Sequence, residues 1–197
     1  SNLKQFDKAI LLFDESIKKF PNSLESYINL ASVMVIKGKS DIAKKILKKV
    51  IELNPKYLKP YSNLAGIFVG EGNFEKAEFF LRKSLEISPK DINALVNLAC
   101  VLKDLGNPEQ AEKFLKDALE INPKYDFALI NLGAVLNELG KIDEGEQFLK
   151  KALKINPNSP MALNNLGNIL SKRNKNKDAE LFYRKAIELK SDFFLAY

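Results

Sequence analysis

The chain has 197 residues, of which 46% are hydrophobic and 28% are charged, and its formal net charge is +6. These proportions are those of an ordinary globular chain, and the lack of an apolar run near 18 residues excludes a transmembrane helix. The single cysteine, Cys100, excludes an intramolecular disulfide framework.

The chain begins in the middle of a structural unit. Residues 1–23 have the pattern of the second helix of a helix pair, so we expect half a repeat there. Its apolar and stop residues are Phe6, Ala9, Leu12, Phe13, Ile17 and Pro21. The given residues contain no signal-peptide pattern of a charged start and an apolar middle, and we expect a cytoplasmic protein without membrane insertion.

The clearest complete helix pair lies at Ile92–Tyr125. Apolar residues at helical spacing predict a first helix that ends at Gly106, because glycine enters the left-handed cap conformation at little cost. Asn107 is expected to cap the second helix and Pro108 to fill its first position. Pro123 forbids its continuation. Neither helix covers its apolar stripe alone, so the pairs must stack on one another.

The stop proline and the turn glycine recur with a constant spacing. The prolines are Pro21, Pro55, Pro89, Pro123 and Pro157, and the glycines are Gly38, Gly72, Gly106 and Gly140. A fixed period in this range predicts stacked repeats. The expected complete units are residues 24–57, 58–91, 92–125, 126–159 and 160–193, and residues 194–197 are expected to begin a further repeat.

The unit resembles the tetratricopeptide repeat (TPR), and the resemblance covers nearly all of the chain. In the first complete unit the signature positions are Tyr27, Leu30, Ala31, Met34, Ala43, Leu47, Val50 and Pro55. Three departures are local: Gly145 replaces a small alanine, Asn174 replaces the turn glycine, and Ser191 replaces the proline. The resemblance implies an all-α solenoid of stacked antiparallel helix pairs in a right-handed superhelix, with residues 1–197 as one domain.

Neither end of the sequence presents the polar outer face that terminal repeats normally have. The apolar residues near the far end are Phe193, Phe194, Leu195 and Tyr197. We therefore expect a piece of a longer array, or an array without its caps. Uncovered apolar ends of this kind favour self-association.

The basic residues of the second helices could form a stripe for nucleic acid. The stripe residues are Lys48, Arg82, Lys116, Lys150 and Arg184. Four of them follow a glutamate by four residues, which indicates a solvated face held by ion pairs. Aromatic side chains for base stacking are not interleaved with these cations, so nucleic acid is not an expected partner.

Catalysis is not expected within this chain. The sequence has no histidine, the commonest general base and nitrogen metal ligand, so we expect no enzyme activity, cofactor or metal site. Cys100 lacks an imidazole to activate it, and it is interpreted as a small apolar filler. Two other interpretations stay open: a substrate-recognition arm of a larger enzyme, such as a glycosyltransferase whose catalytic domain lies elsewhere, and a purely structural array.

An asparagine occupies the same first-helix position in every complete unit. This asparagine ladder consists of Asn29, Asn63, Asn97, Asn131 and Asn165. A row of amides offers both donors and acceptors to the backbone of a bound peptide. The arrangement is similar to that in the repeats of O-linked N-acetylglucosamine transferases, and TPR first helices line a concave groove for extended peptides. The alternative is that each asparagine bonds to the neighbouring repeat.

The neighbours of the ladder suggest which ligand it binds. The further predicted binding residues are Val96, Cys100, Phe127, Ile130, Asn164 and Asn168. They are apolar or neutral, and Cys100 and Asn131 stand where a clamp for acidic chaperone tails needs an asparagine and an arginine. The predicted function is therefore a protein-interaction scaffold that binds an extended, largely uncharged peptide.

Overall fold

The computed structural model describes the backbone of residues 2–195 and the side chains of residues 6–189. Within that range the chain forms eleven α-helices and no strand, which confirms the all-α prediction. The helices are α1 (Asn2–Lys19), α2 (Leu24–Ile36), α3 (Ser40–Leu53), α4 (Lys59–Gly70), α5 (Phe74–Ile87), α6 (Ile92–Asp104), α7 (Pro108–Ile121), α8 (Asp126–Glu138), α9 (Ile142–Ile155), α10 (Pro160–Lys172) and α11 (Asn176–Leu195).

The helices form two compact units. The first unit extends to Pro89 and contains α1 and the pairs α2–α3 and α4–α5; the second begins at Lys90 and contains the pairs α6–α7, α8–α9 and α10–α11. The two helices of each pair pack on each other, and the short turn between them makes them antiparallel. The first four pairs each lie within one of the expected 34-residue units, whereas the last pair extends past residue 193 to Leu195.

The turn inside each pair is closed by a residue with positive φ. Gly106 has a φ of 77°, and Asn174, which replaces glycine in the last pair, has a φ of 58°. After Gly106, the Asn107 amide donates to the Leu102 carbonyl oxygen at 2.8 Å. Asn107 does occupy the cap position of α7, but its side chain accepts no capping bond. Its side-chain nitrogen, Nδ2, instead lies 3.5 Å from the Leu105 carbonyl oxygen.

The core of each unit is built from the apolar stripes that the repeat predicts. In the first unit Leu47, Leu64 and Leu81 are buried. In the second unit the buried leucines include Leu98, Leu102, Leu115, Leu132, Leu136 and Leu149. Because each first helix packs both on its own partner and on a neighbouring pair, these stripes have no free side within a unit.

The last helix does not end where the proline of the earlier units would end it. α11 continues through Ser191 to Leu195, since serine, unlike proline, keeps its backbone donor and does not block a helix. Residues 194 and 195 therefore lie in α11, while residues 196 and 197 of the predicted further repeat fall outside the described range. Of the side chains on which the predicted self-association depends, those of Phe193, Phe194, Leu195 and Tyr197 also lie outside it, and Phe6 and Phe13 of α1 are half-buried.

None of the helices between residues 2 and 195 is both long and apolar enough to cross a bilayer. The longest of them, α11, carries several charged side chains along its length. α1 is similarly interrupted by lysines and acidic residues.

Candidate functional site

The stripe of cations on the second helices is largely neutralised. Four of its five members form an ion pair with the glutamate one helical turn earlier. The pairs are Arg82 with Glu78, Lys116 with Glu112, Lys150 with Glu146 and Arg184 with Glu180, at nitrogen–oxygen distances between 2.6 and 2.8 Å. The interpretation of this surface as a solvated face held by ion pairs is confirmed for these four positions.

The asparagines of the second unit lie on neighbouring first helices. Asn97, Asn131 and Asn165 occupy the same position on α6, α8 and α10, and α8 contacts both of the other two helices. Asn97 is exposed, whereas Asn131 and Asn165 are half-buried. Asn164 and Asn168 on α10 are also exposed. We call these five residues the amide face of the second unit.

The hydrogen bonds of the amide face leave most of its polar groups available. Across the described side chains, 6–189, none donates to or accepts from the side-chain amides of Asn97 and Asn165, so these two do not bond to a neighbouring repeat. Asn131 is different, because one of the two N–H groups of its Nδ2 donates to the Phe127 carbonyl oxygen at 2.8 Å, which leaves its Oδ1 and one N–H available. Asn168 accepts from the Tyr183 hydroxyl at 2.8 Å through Oδ1 and keeps its donor.

Burial divides the predicted apolar neighbours of this face. Val96 and Ile130 are only 5% and 2% exposed, and Ile130 belongs to a core cluster with Ala162 and Leu166 of α10. They cannot contact a ligand, so the candidate site omits them. Phe127 is 50% exposed and remains available.

Cys100 is half-buried on α6. Burial raises the pKa of its thiol above the ordinary value, and the carboxylate of Asp104 acts in the same direction against the opposing charge of Lys103. The thiol is therefore protonated at neutral pH. This supports the interpretation of Cys100 as a small apolar filler rather than a nucleophile.

The last helix pair forms a cleft beside two of the predicted asparagines. Its volume is about 880 Å³, and it is lined by Pro160, Met161, Asn164, Asn165, Tyr183, Ala186 and Ile187. Met161 and Ile187 are among the exposed large apolar side chains. Tyr183 and Ile187 of α11 were not predicted as site residues. Their helical spacing is that of ordinary core positions of a second helix. The sequence pattern therefore did not indicate that they line a cleft.

A tyrosine in front of α8 bonds to α6 next to Phe127. The Tyr125 hydroxyl donates to Asn93 Oδ1 at 2.7 Å, and the Tyr125 and Phe127 ring centres are 6.0 Å apart. Burial, followed by the charges of Asp126 and Asp91, raises the pKa of Tyr125, so its hydroxyl stays protonated and able to donate. Sequence analysis missed this pair, although Tyr57 stands two repeats earlier in the same place.

The first unit offers a more charged version of the same face. Asn29 is exposed, and Asn63 is half-buried in a cleft of about 470 Å³. Close to Asn29, Glu25 Oε1 accepts from the Tyr57 hydroxyl and from Lys59 Nζ, both at 2.6 Å. These bonds from Lys59 and Tyr57 hold the pKa of the Glu25 carboxyl below its ordinary value. The uncharged character expected for the ladder is therefore found in the second unit.

The chemistry of these faces is that of binding. Among the described side chains, no group of three or more cysteine, aspartate or glutamate residues could hold a metal ion. The amide face supplies neutral donors and acceptors beside exposed apolar surface. Such a combination can hydrogen-bond a peptide backbone and bury apolar side chains.

Comparison with known proteins identifies the repeat. A family model described as tetratricopeptide repeat matches residues 34–99, 68–136 and 102–163, and another model of the same description matches residues 148–180. Among curated proteins, no relative matches the chain.

Solved structures share the fold. One is YrrB, described as a TPR protein with an unusual peptide-binding site: identity is 23% over 93% of this chain and 95% of that one, with a TM-score of 0.69. PilF of Pseudomonas aeruginosa is 24% identical over 84% of this chain and 75% of its own, with a TM-score of 0.74. MamA of Desulfovibrio magneticus RS-1 is 19% identical over 86% of this chain and 96% of its own, with a TM-score of 0.73. At these identities the likeness concerns the fold.

Proposed function

Because the chain belongs to the tetratricopeptide repeat family, we propose that it is a protein-interaction scaffold that binds an extended, largely uncharged peptide on the amide face of its second unit. TPR proteins act as scaffolds for protein partners, and YrrB is described as having a peptide-binding site. The observation that carries the proposal is the state of Asn97 and Asn165, whose amides are accessible and have no partner among the described side chains.

The ladder would recognise the backbone of the ligand. An extended peptide presents alternating N–H and C=O groups, and each free asparagine amide can accept from one and donate to the other. Asn131 contributes an acceptor and one donor, because the other of its two N–H groups is engaged with its own helix. Backbone recognition of this kind does not read side chains.

The apolar groups near the ladder would select the ligand's side chains. Phe127 and Met161 are each 50% exposed and occupy the same repeat position on adjacent first helices, α8 and α10. The cleft beside Met161 adds the exposed Ile187 and is large enough for one apolar side chain. No member of the amide face is charged, so the expected ligand carries spaced apolar residues and little net charge.

A peptide-library selection tests this proposal. The wild-type protein should enrich segments with spaced apolar residues, and Phe127→Ala should narrow or abolish selection among them. A triple variant, Asn97→Ala with Asn131→Ala and Asn165→Ala, should enrich none of these segments while keeping its helical circular dichroism. Gln147→Ala removes an exposed amide from α9 and is the matched control. Equal enrichment by the triple variant and the control would overturn the proposal.

A further inference from the structure

The second helix of the first complete repeat departs from the charge pattern of the others. On α5, α7, α9 and α11 the stripe cation pairs with a glutamate one turn earlier. On α3 the stripe cation is Lys48, and the residue one turn earlier is Lys44 rather than a glutamate. Lys48 therefore lacks the carboxylate partner that the other stripe cations have. α3 carries four lysines against Asp41 and Glu52, whereas α5 carries three cations and three carboxylates.

The excess positive charge of the chain is concentrated in the same part of the sequence. Residues 1–89 contain 15 lysines and arginines against 10 acidic residues, which accounts for +5 of the formal net charge of +6. Residues 90–197 are almost neutral. An anionic partner is therefore attracted mainly to the first unit, where α3 is the most basic helix.

Three of the four lysines of α3 share a cleft with a buried phenylalanine. A cleft of about 450 Å³ is lined by Asp41, Lys44, Lys45, Lys48, Phe68 and Lys76, and we call this set the α3 lysine patch. The Nζ atoms of Lys44 and Lys76 lie 5.5 and 5.4 Å from the centre of the Phe68 ring, within cation–π distance. Phe68 is buried, so its ring positions the ammonium groups and offers no open face to a ligand.

Only one lysine of the patch is neutralised. Lys44 Nζ lies 2.8 Å from both Asp41 Oδ1 and Glu71 Oε1, and these two bonds raise the pKa of the ammonium group above its ordinary value. For the other three lysines, no carboxylate of the described side chains lies within ion-pair distance. All three are exposed, so three ammonium groups are available to a ligand.

We propose that the α3 lysine patch docks an acidic segment of a partner protein. Aspartate and glutamate side chains complement the three available ammonium groups. The 14 residues of α3 extend about 21 Å, a length covered by about six residues of extended chain. This ligand differs from the uncharged peptide proposed for the amide face, and the two sites are independent.

Two observations favour a protein segment over nucleic acid. Phe68, the aromatic residue of the patch, is buried and cannot stack on a base. On the neighbouring second helix, Arg82 is paired with Glu78, so the basic surface does not continue along α5 as a track for a phosphate backbone. A short acidic segment fits a basic surface of this limited extent.

Fluorescence anisotropy with a labelled glutamate-rich peptide tests the proposal. The probe has about ten residues, enough to cover α3, and the same peptide with glutamine is its control. The wild-type protein should bind the glutamate peptide but not the glutamine control. Its affinity for the glutamate peptide should fall as the ionic strength rises from about 0.05 to about 0.3 M. Lys45→Glu with Lys48→Glu should weaken binding about tenfold. The control variant, Lys8→Glu with Lys18→Glu, makes the same charge change on α1. It should alter the affinity for the glutamate peptide less than about twofold.

Three outcomes would overturn the proposal. One is absence of binding to the glutamate peptide, and a second is an equal loss in the two double variants, which would show that net charge acts without a site. The third is tighter, patch-dependent binding of a thymidine oligonucleotide. Lys45→Gln with Lys48→Gln supplies the same test if the charge reversal unfolds α3. The triple asparagine variant should still bind the glutamate peptide. This result would separate the present proposal from that for the amide face.

Discussion

Gly145 of α9 faces Gly133 of α8 so closely that a Cβ on Gly145 would lie 2.8 Å from the Gly133 carbonyl oxygen. A Cβ on Gly133 would in turn lie 2.6 Å from Cγ of the buried Leu149. The equivalent positions of the α6–α7 pair are the alanines Ala99 and Ala111. The departure of Gly145 from the repeat pattern is thus matched by a second glycine on the facing helix.

Gly145→Ala should therefore destabilise the protein, although alanine is the better helix former. The new methyl group meets backbone atoms that cannot move aside, and overpacking of this kind costs about 1–3 kcal/mol. Gly66→Ala on α4 is the control, because a Cβ there meets open space. It should stabilise the protein by roughly 0.5–1 kcal/mol. Urea unfolding measures both, and a stabilising Gly145→Ala would contradict the close approach.

Leu98→Ala and Asn97→Ala test which sides of α6 are buried and exposed. Leu98 has no exposed surface, so its truncation should cost about 2–5 kcal/mol in the free energy of unfolding. Asn97 is exposed and has no partner among the described side chains, so its loss should cost far less. Denaturant unfolding of the two variants checks this, and comparable losses would refute the face assignment.

Ser84 is a buried polar residue at a position where the second helices of the other four complete pairs have valine or alanine. Its hydroxyl has no hydrogen-bond partner among the residues that the structure describes. Ser84→Ala should raise the free energy of unfolding by about 1 kcal/mol, because it removes a desolvated hydroxyl. Ser171→Ala on the exposed side of α10 measures the gain from helix propensity alone. Equal gains in thermal unfolding would show that the Ser84 hydroxyl is satisfied.

Glu112 should make stability depend on pH. Hydrogen bonds from Lys116 and Lys141 hold the pKa of this mostly buried carboxyl below its ordinary value. A lowered folded pKa means that the contribution is complete above the unfolded pKa of about 4.3 and is lost as the pH falls through the folded value. Glu112→Gln should therefore cost about 1 kcal/mol at pH 7 and progressively less below about pH 4.3.

The control for that prediction is Glu86→Gln, which removes an exposed pair with Lys83. Exposed pairs contribute little, so its effect should stay within about 0.5 kcal/mol at every pH. Unfolding curves recorded between acid and neutral pH compare the two variants. A Glu112→Gln difference that does not change with pH would contradict the role given to its charge.

The sequence was sufficient to predict the helix pairs and their turns. The 34-residue period placed the first four pairs within their units, and glycine chemistry predicted the positive φ of Gly106 and of its substitute Asn174. These features are local, because a turn residue or a stop proline acts on its own helix. Where the local signal was absent, at Ser191, the helix continued to Leu195.

The composition of the candidate site was only partly predictable. A helical wheel for one repeat assigns Val96 and Ile130 to the open side, but it contains no neighbouring first helix to cover them. The same wheel cannot show that Asn131 donates back to its own helix. The lysine patch was hidden for a similar reason, since it combines residues of α3 with Phe68 and Lys76 of the next pair.

The most direct test of the amide face is the affinity of one selected apolar peptide for the wild-type protein and for the triple asparagine variant, measured by isothermal titration calorimetry. Hydrogen bonds to neutral amides contribute about 0.5–1.5 kcal/mol each, so the triple variant should lose on the order of 2–4 kcal/mol of binding. Raising the salt concentration should have little effect, because the site is uncharged. Equal affinity for both proteins, or binding that collapses in moderate salt, would contradict the account.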